Sequence, residues 1–279
     1  MESLAKGMEL LIAKVLVVRG KCPECGGNLY AYRAKNKDGS ERCAPTCMAC
    51  GYYDLKRKED LQTEKIYSDS LKSKTLNFFK YGSVITDKSL FDCSFNNYKI
   101  IDAETESAAA IAKNFVKAVL NGEPKHLALN GKSGSGKSHL AMAATWEIIK
   151  QSDYDKKCLF ISYRELLEQI KFSFNDEQLR KEIQGSLMKD IKTADLVVID
   201  DLGAELGGST YTNSTNFNND TLNSILEARQ NQAIILTTNL TGKEMKNAYG
   251  ERIVSRIFKN SQGFAFKFET TSDKRLKAV

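Results

Sequence analysis

Gly131-Lys132-Ser133-Gly134-Ser135-Gly136-Lys137-Ser138 decides how this chain is read. The octet fits the pattern GxxxxGK[ST] at every fixed position. Just upstream, His126-Leu127-Ala128-Leu129-Asn130 reads as a short apolar strand; downstream, Leu140 to Lys150 carries apolar residues at helical spacing. Strand, glycine loop and helix in that order make a phosphate cradle. Glycines let the backbone curl so that several N–H groups point inward, and the helix N-terminus adds positive dipole. Gly131, Ser133, Gly134, Ser135, Gly136, Lys137, Ser138 and the adjoining His139 are therefore the candidate ATP-binding residues. Lys137 would reach the β/γ-phosphates and Ser138 would hold Mg²⁺.

Outward from the loop, strands and helices alternate. The spacing predicts a helix over Asp102–Leu120 stopped by Asn121-Gly122, a strand over Cys158–Tyr163 and a largely helical stretch over 164–192. A near-continuous apolar strand over Asp195–Asp200 follows, as expected of a buried parallel strand. Residues 207–219 are low in complexity and read as a loop. A helix over 220–230, a strand over Ala233–Thr237, a helical stretch near 241–259 and a strand over Phe264–Phe268 complete the series. Such alternation implies an α/β fold with a parallel sheet flanked by helices.

Two further blocks carry hydrolytic chemistry. Leu196–Ile199 followed by Asp200-Asp201 has the form of a Walker B strand, with carboxylates at the strand end where a Mg²⁺-nucleotide sits. Asp200 is assigned to the magnesium, through water, and Asp201 to polarising the attacking water; the bland alternative is a buried strand ending in a solvated acidic turn. Ile234-Ile235-Leu236 ends in Thr237-Thr238-Asn239, and Asn239 could orient the lytic water. Further on, Arg252 and Arg256 stand four residues apart on one helical face. An arginine supplied from a neighbouring subunit can neutralise charge on a transferred phosphoryl group, although spacing alone fits ordinary surface arginines as well.

The N-terminal third has a different composition. Five of the seven cysteines crowd into residues 22–50, where Cys22-Pro23-Glu24-Cys25-Gly26 and Cys47-Met48-Ala49-Cys50-Gly51 form two CxxCG knuckles. Four thiolates from two such turns make a closed tetrahedral Zn²⁺ site, with Cys22, Cys25, Cys47 and Cys50 as ligands. So small a ribbon would take its folding energy from the metal. A redox dithiol pair is the rival reading, and Cys43 a possible substitute ligand. Apolar positions between Leu4 and Leu16 fit an amphipathic helix over 1–18 rather than a signal peptide. With no apolar run long enough for a membrane span, the expectation is a cytoplasmic protein. The formal charge of +6 permits nucleic-acid contact without demanding it. Charged residues from Lys56 onward suggest three parts: a helix and zinc ribbon over 1–55, a charged linker or solvated helix over 56–90, and an α/β domain over 91–279.

Taken together, GKSGSGKSHLA (131–141), LVVIDDLGAE (196–205), ILTTN (235–239) and ERIVSRI (251–257) resemble the AAA+ ATPases. Their wording is similar to the bacterial and phage DnaC/DnaI-type helicase loaders, with the IstB transposition ATPases close behind. Phe91–Tyr98 also resembles the segment that precedes this ATPase core and touches adenine. The resemblance implies an AAA+ P-loop fold and an ATPase that is slow alone and stimulated on assembly. It implies Arg256 as the trans-acting arginine finger, with Arg252 assisting. It further implies an N-terminal zinc domain that grips a replicative hexameric helicase, and ATP-dependent loading of that helicase onto single-stranded DNA in replication initiation. A transposition ATPase and an ATP-switched adaptor are the competing readings. The family's helical lid is short or missing here, leaving Lys274-Arg275 as weak candidates for a second sensor. Residues 164–192, with Arg164, Lys171, Arg180, Lys181, Phe172 and Phe174, are either a DNA-contacting element or an amphipathic pair with core phenylalanines.

Overall fold

Three antiparallel strands gather the cysteine knuckles: β1 (Leu16–Lys21), β2 (Asn28–Tyr32) and β3 (Thr46–Cys47), in the order β1-β2-β3. The structure is a computed structural model that describes residues 13–207 and 215–274. The chain divides into two compact units, Met1–Ser70 and Leu71–Val279. In the first, Leu16 faces Tyr32 and Val17 faces Ala31, which is fully buried. The amphipathic helix expected over 1–18 is thus corrected at its end: Leu16-Val17-Val18 is strand, since β-branched residues beside Tyr30 and Tyr32 pair better than they coil. Residues 1–12 of that helix lie outside the described residues. A turn over Asn36–Gly39 closes the β2 arm, with the Gly39 N–H donating to Asn36 O at 3.0 Å.

A long helix, α1 (Asp54–Gly82), follows. Of the two readings of this charged stretch, helix holds as far as Gly82, and the part of it from Leu71 onward belongs to the second unit. Thr75 is buried and Phe79 fully so, meeting Phe91 and Trp146 edge-on at ring distances of 5.5 and 4.8 Å. The lysines that mark this stretch as a linker obscured those two buried positions.

The second unit is a five-stranded, all-parallel sheet in the order β5-β6-β7-β4-β8. Its strands are β4 (His126–Gly131), β5 (Cys158–Ser162), β6 (Leu196–Leu202), β7 (Ala233–Thr238) and β8 (Ala265–Phe268). Helices α2 (Ala103–Leu120) and α3 (Lys137–Gln151) pack on one face through Phe115, Leu140 and Ile148. On the other face lie α4 (Tyr163–Phe172), α5 (Glu177–Arg180), α6 (Met188–Thr193), α7 (Asn216–Ala228) and α8 (Gly242–Phe258). Between α5 and α6 the coil widens into a π-helical stretch, Lys181–Leu187. α2 begins where the sequence predicts: the Asp102 side chain accepts from Thr105 N–H and Thr105 answers with a reciprocal bond. Most of the 207–219 loop lies outside the described residues.

Candidate functional site

The P-loop bends from the end of β4 into α3, and two glycines carry the bend. Gly134 (φ 78°) and Gly136 (φ 97°) both adopt the left-handed backbone. Gly136 is the N-cap of α3 and offers no side chain to its N-terminal N–H groups, so these remain directed to whatever anion the loop holds. Ser135 is buried, and its hydroxyl and N–H both donate back to Lys132 O, at 2.9 and 3.4 Å, bracing the turn of the loop. A Cβ at Gly131 would collide with Phe268, which explains why the tightest point between β4 and β8 is glycine.

Lys137 is buried, and its ammonium donates to Gly131 O at 2.7 Å, Lys132 O at 2.9 Å and Asn239 Oδ1 at 2.8 Å. Asn239 in turn donates from Nδ2 to Asp201 Oδ1 at 3.0 Å. The P-loop, the end of β6 and the end of β7 are thereby joined through one amide. Asp200 is buried and accepts from Thr237 Oγ1 at 2.7 Å, while Thr237 Oγ1 accepts the Asp201 N–H at 2.8 Å. The β6–β7 register shifts between Ile199 and Leu202, and Asp201 has φ 54°. A bulge of this kind re-aims side chains: strict alternation would send two adjacent carboxylates to opposite faces, and here both turn to the strand tip. Burial pushes the Asp200 carboxyl up to about 6, against hydrogen bonds from Thr237 and Ser138 that favour its ionised form. Ser138 and Asp200 together are hard oxygen donors suited to Mg²⁺.

His139 faces the segment before α2. Its Nε2 lies 2.9 Å from Ser94 O, its ring meets Tyr98 edge-on at 5.3 Å, and burial lowers its pKa. The chain after β8 also reaches the loop: Lys274 N–H donates to Gly134 O at 3.1 Å, and its ammonium sits 3.7 Å from the centre of the Tyr98 ring. A Cβ at Gly134 would strike the Asp273 carboxylate. Glu104 fixes this tail by accepting from the N–H groups of Glu269, Thr270 and Thr271. Lys274 is only weakly marked in sequence, and Asp273 and Glu104 not at all; their placement depends on where β8 ends. Arg275 lies outside the described residues.

Arg252 and Arg256 are not brought to the P-loop of their own chain. Both bond to Glu227 on α7, at 3.0 and 2.6 Å. Of the 164–192 element, Phe172 and Phe174 are 77% and 50% exposed rather than core. Arg164 and Lys181 are paired with Glu168 and Glu177.

In the first unit, the Sγ atoms of Cys22, Cys25, Cys47 and Cys50 all lie within 4.8 Å of one another, with Cys22–Cys50 and Cys25–Cys47 at 3.5 Å. A tetrahedron of about 2.3 Å Zn–S bonds has S···S edges of about 3.8 Å, so the four sulfurs fit zinc. The two knuckles share one geometry: Gly26 N–H bonds Cys22 O and Gly51 N–H bonds Cys47 O, each at 2.9 Å with the glycine left-handed. The Cys50 and Ala49 N–H groups, aimed at the Cys47 sulfur, bring its pKa down to about 7 in spite of burial. Cys43 is exposed and stands outside the cluster.

A family model described as IstB-like ATP binding protein matches residues 64–259. The replicative helicase loader DnaC of Escherichia coli K12 is 26% identical over 168 residues, 60% of this chain. The match spans 63% of that relative's own length, less than two thirds. DnaC of Buchnera aphidicola from Acyrthosiphon pisum is also 26% identical, over 182 residues, covering 64% of this chain and 69% of its own. Among solved structures, the DnaC helicase loader superposes with a TM-score of 0.54 at 20% identity, covering 66% of this chain and 100% of that one. DnaI superposes at 0.53 with 23% identity, covering 69% and 95%. These likenesses establish the AAA+ P-loop architecture of the second unit.

Proposed function

The chain belongs to the IstB-like ATP binding protein family, and from that premise we propose that it is an ATP-driven loader of a replicative hexameric helicase onto single-stranded DNA. The observation that carries the hydrolytic part is the Lys137–Asn239–Asp201 chain of hydrogen bonds, which couples a phosphate-binding cation to a carboxylate beside it. ATP phosphates would lie on the loop N–H groups from Gly131 to Ser138, with Lys137 turning from its carbonyl partners to the β/γ-oxygens. Asp201, oriented by Asn239, accepts hydrogen bonds from the attacking water. Ser138 and Asp200 would hold Mg²⁺, which would supply positive charge against the phosphoryl group. Arg256 of a second copy would complete the site, so that turnover follows assembly.

The helicase part rests on the relatives named helicase loaders, together with a four-cysteine module ahead of the ATPase unit. In this reading the zinc ribbon docks on the helicase, the ATPase units associate with one another, and the protein works in the cytoplasm. None of the described helices is long and apolar enough to cross a membrane. Exposed Phe172, beside Lys171, is a candidate stacking platform for an unpaired base. The family description also keeps a transposition-type ATPase in view. The test is co-purification with the replicative helicase of the same genome, with and without ATP, followed by unwinding of a DNA that the helicase cannot enter alone. Retention and ATP-dependent unwinding are expected. No retention, with ATPase stimulation by a transposase instead, would replace loading with target selection.

A further inference from the structure

α7 and α8 pack through Leu222, Ile225, Ile253 and Ile257, all buried in one cluster. α8 is broken at Gly250 (φ 80°, ψ 161°), so the turn carrying Arg252 and Arg256 starts afresh after the break. This sets Asn223 and Glu227, one turn apart on α7, against Arg252 and Arg256, one turn apart on α8. Glu227 Oε1 accepts from Arg256 Nη2 at 2.6 Å and from Arg252 Nη2 at 3.0 Å, and Asn223 Oδ1 accepts from Arg256 Nη1. Two acceptors on two different nitrogens fix both the position and the plane of one guanidinium. The Arg256 side chain is 19% exposed while that of Arg252 is 74% exposed. One arginine is thus held with its stem packed, and the other is largely in solvent.

We propose that Glu227, with Asn223, is a positioning residue for the trans-acting arginine: it holds the Arg256 guanidinium in one pose for the nucleotide on a second copy of this chain. The proposal rests on reading Arg256 as the finger. Two arginines share one carboxylate, so the group keeps a net positive charge for a phosphate. Arg256 has N–H groups to spare, because a guanidinium carries five donors. An unheld arginine would have to freeze several rotamers on meeting the phosphoryl group; Glu227 freezes them beforehand. As a partly exposed ion pair it contributes little to folding, which separates positioning from structural support.

The experiment uses the full chain and measures turnover per chain as protein concentration rises, alongside ATP affinity and Tm. Glu227→Ala is expected to lower the assembly-stimulated kcat about tenfold, the scale of refreezing one long side chain, with KM, ATP affinity and Tm little changed. Glu227→Gln, which keeps an oxygen acceptor, should recover part of the loss. In an Arg256→Ala background, Glu227→Ala should have no further effect. A fully active Glu227→Ala beside an inactive Arg256→Ala would overturn the positioning role and leave the finger intact. An equal loss from Glu227→Ala in both backgrounds would overturn it too, since Glu227 would then act elsewhere. Turnover that does not rise with concentration, or rises equally in Arg256→Ala, removes the finger reading and this proposal with it.

Discussion

The Lys137 ammonium and the Asn239 side-chain oxygen meet at 2.8 Å, tying the start of α3 to the residue just beyond β7. Two backbone carbonyls and this amide accept from Lys137, neutral acceptors that form weaker bonds to an ammonium than a phosphate oxygen does. Lys137→Ala should therefore weaken ATP binding by about 10- to 150-fold, the equivalent of a charged hydrogen bond worth about 1.5–3 kcal/mol. Titration with a fluorescent ATP analogue checks this. Unchanged affinity would remove the P-loop from nucleotide binding.

Asn239 differs because its amide reaches both Lys137 and Asp201. Asn239→Ala should leave ATP bound while hydrolysis falls by about 10²-fold, as when one well-placed polar group is deleted from a reaction site. Single-turnover measurements separate the two effects. A loss of affinity equal to the loss of rate would make Asn239 a binding residue only.

The ribbon should carry one Zn²⁺ per chain, measurable by metal analysis of purified protein. Cys22→Ser or Cys50→Ser should release it and unfold the unit Met1–Ser70 while the ATPase unit keeps its own melting transition, because a four-cysteine ribbon takes its stability from the metal. Metal-free protein with a folded ribbon would contradict the assignment, and joint melting would contradict the division into units.

Glu104 links acidity to the tail that crosses the P-loop. The Thr271 hydroxyl and the N–H groups of Thr270, Thr271 and Glu269 hold its carboxyl at about 2, well below the usual range. A depressed carboxylate stabilises the folded form above its unfolded pKa of about 4.3, and that contribution is lost as pH falls toward 2. Glu104→Gln, whose amide cannot accept from all these donors, should lower Tm by a constant amount above pH 5. The gap between variant and parent should close between about pH 4.3 and 2. A gap independent of pH throughout would mean that the charge plays no part.

The parallel sheet, the P-loop and the Asp200-Asp201 strand were legible because each depends on local pattern: apolar runs alternating with helices, glycines at fixed spacing, an acid at a strand end. The stop of α2 at Asn121-Gly122 was legible for the same reason. What escaped depends on contacts distant in sequence. Phe79 lies in a lysine-rich stretch, and only its packing on Trp146 reveals a buried helix there. The bulge that turns both aspartates to the site is a matter of register against β7. Glu227 is one acid among many until α8 brings two arginines to it. The exposed Phe172 shows the converse limit, since helical spacing alone equally fits a core residue.

The central claim is that an ATP site of one chain is completed by Arg256 of another, and mixing two inactive variants tests it most directly. Arg256→Ala lacks the finger and keeps Asp201; Asp201→Asn keeps the finger and disturbs the water in its own site. Each alone should bind ATP and lose the assembly-stimulated rate, where arginine fingers are worth about 10³–10⁵ in well-studied phosphoryl transfers. In mixtures, some interfaces pair an intact Asp201 with an intact Arg256, and ATPase activity should return in part, greatest near equal proportions. A mixture that co-assembles yet stays as inactive as either parent would contradict the account.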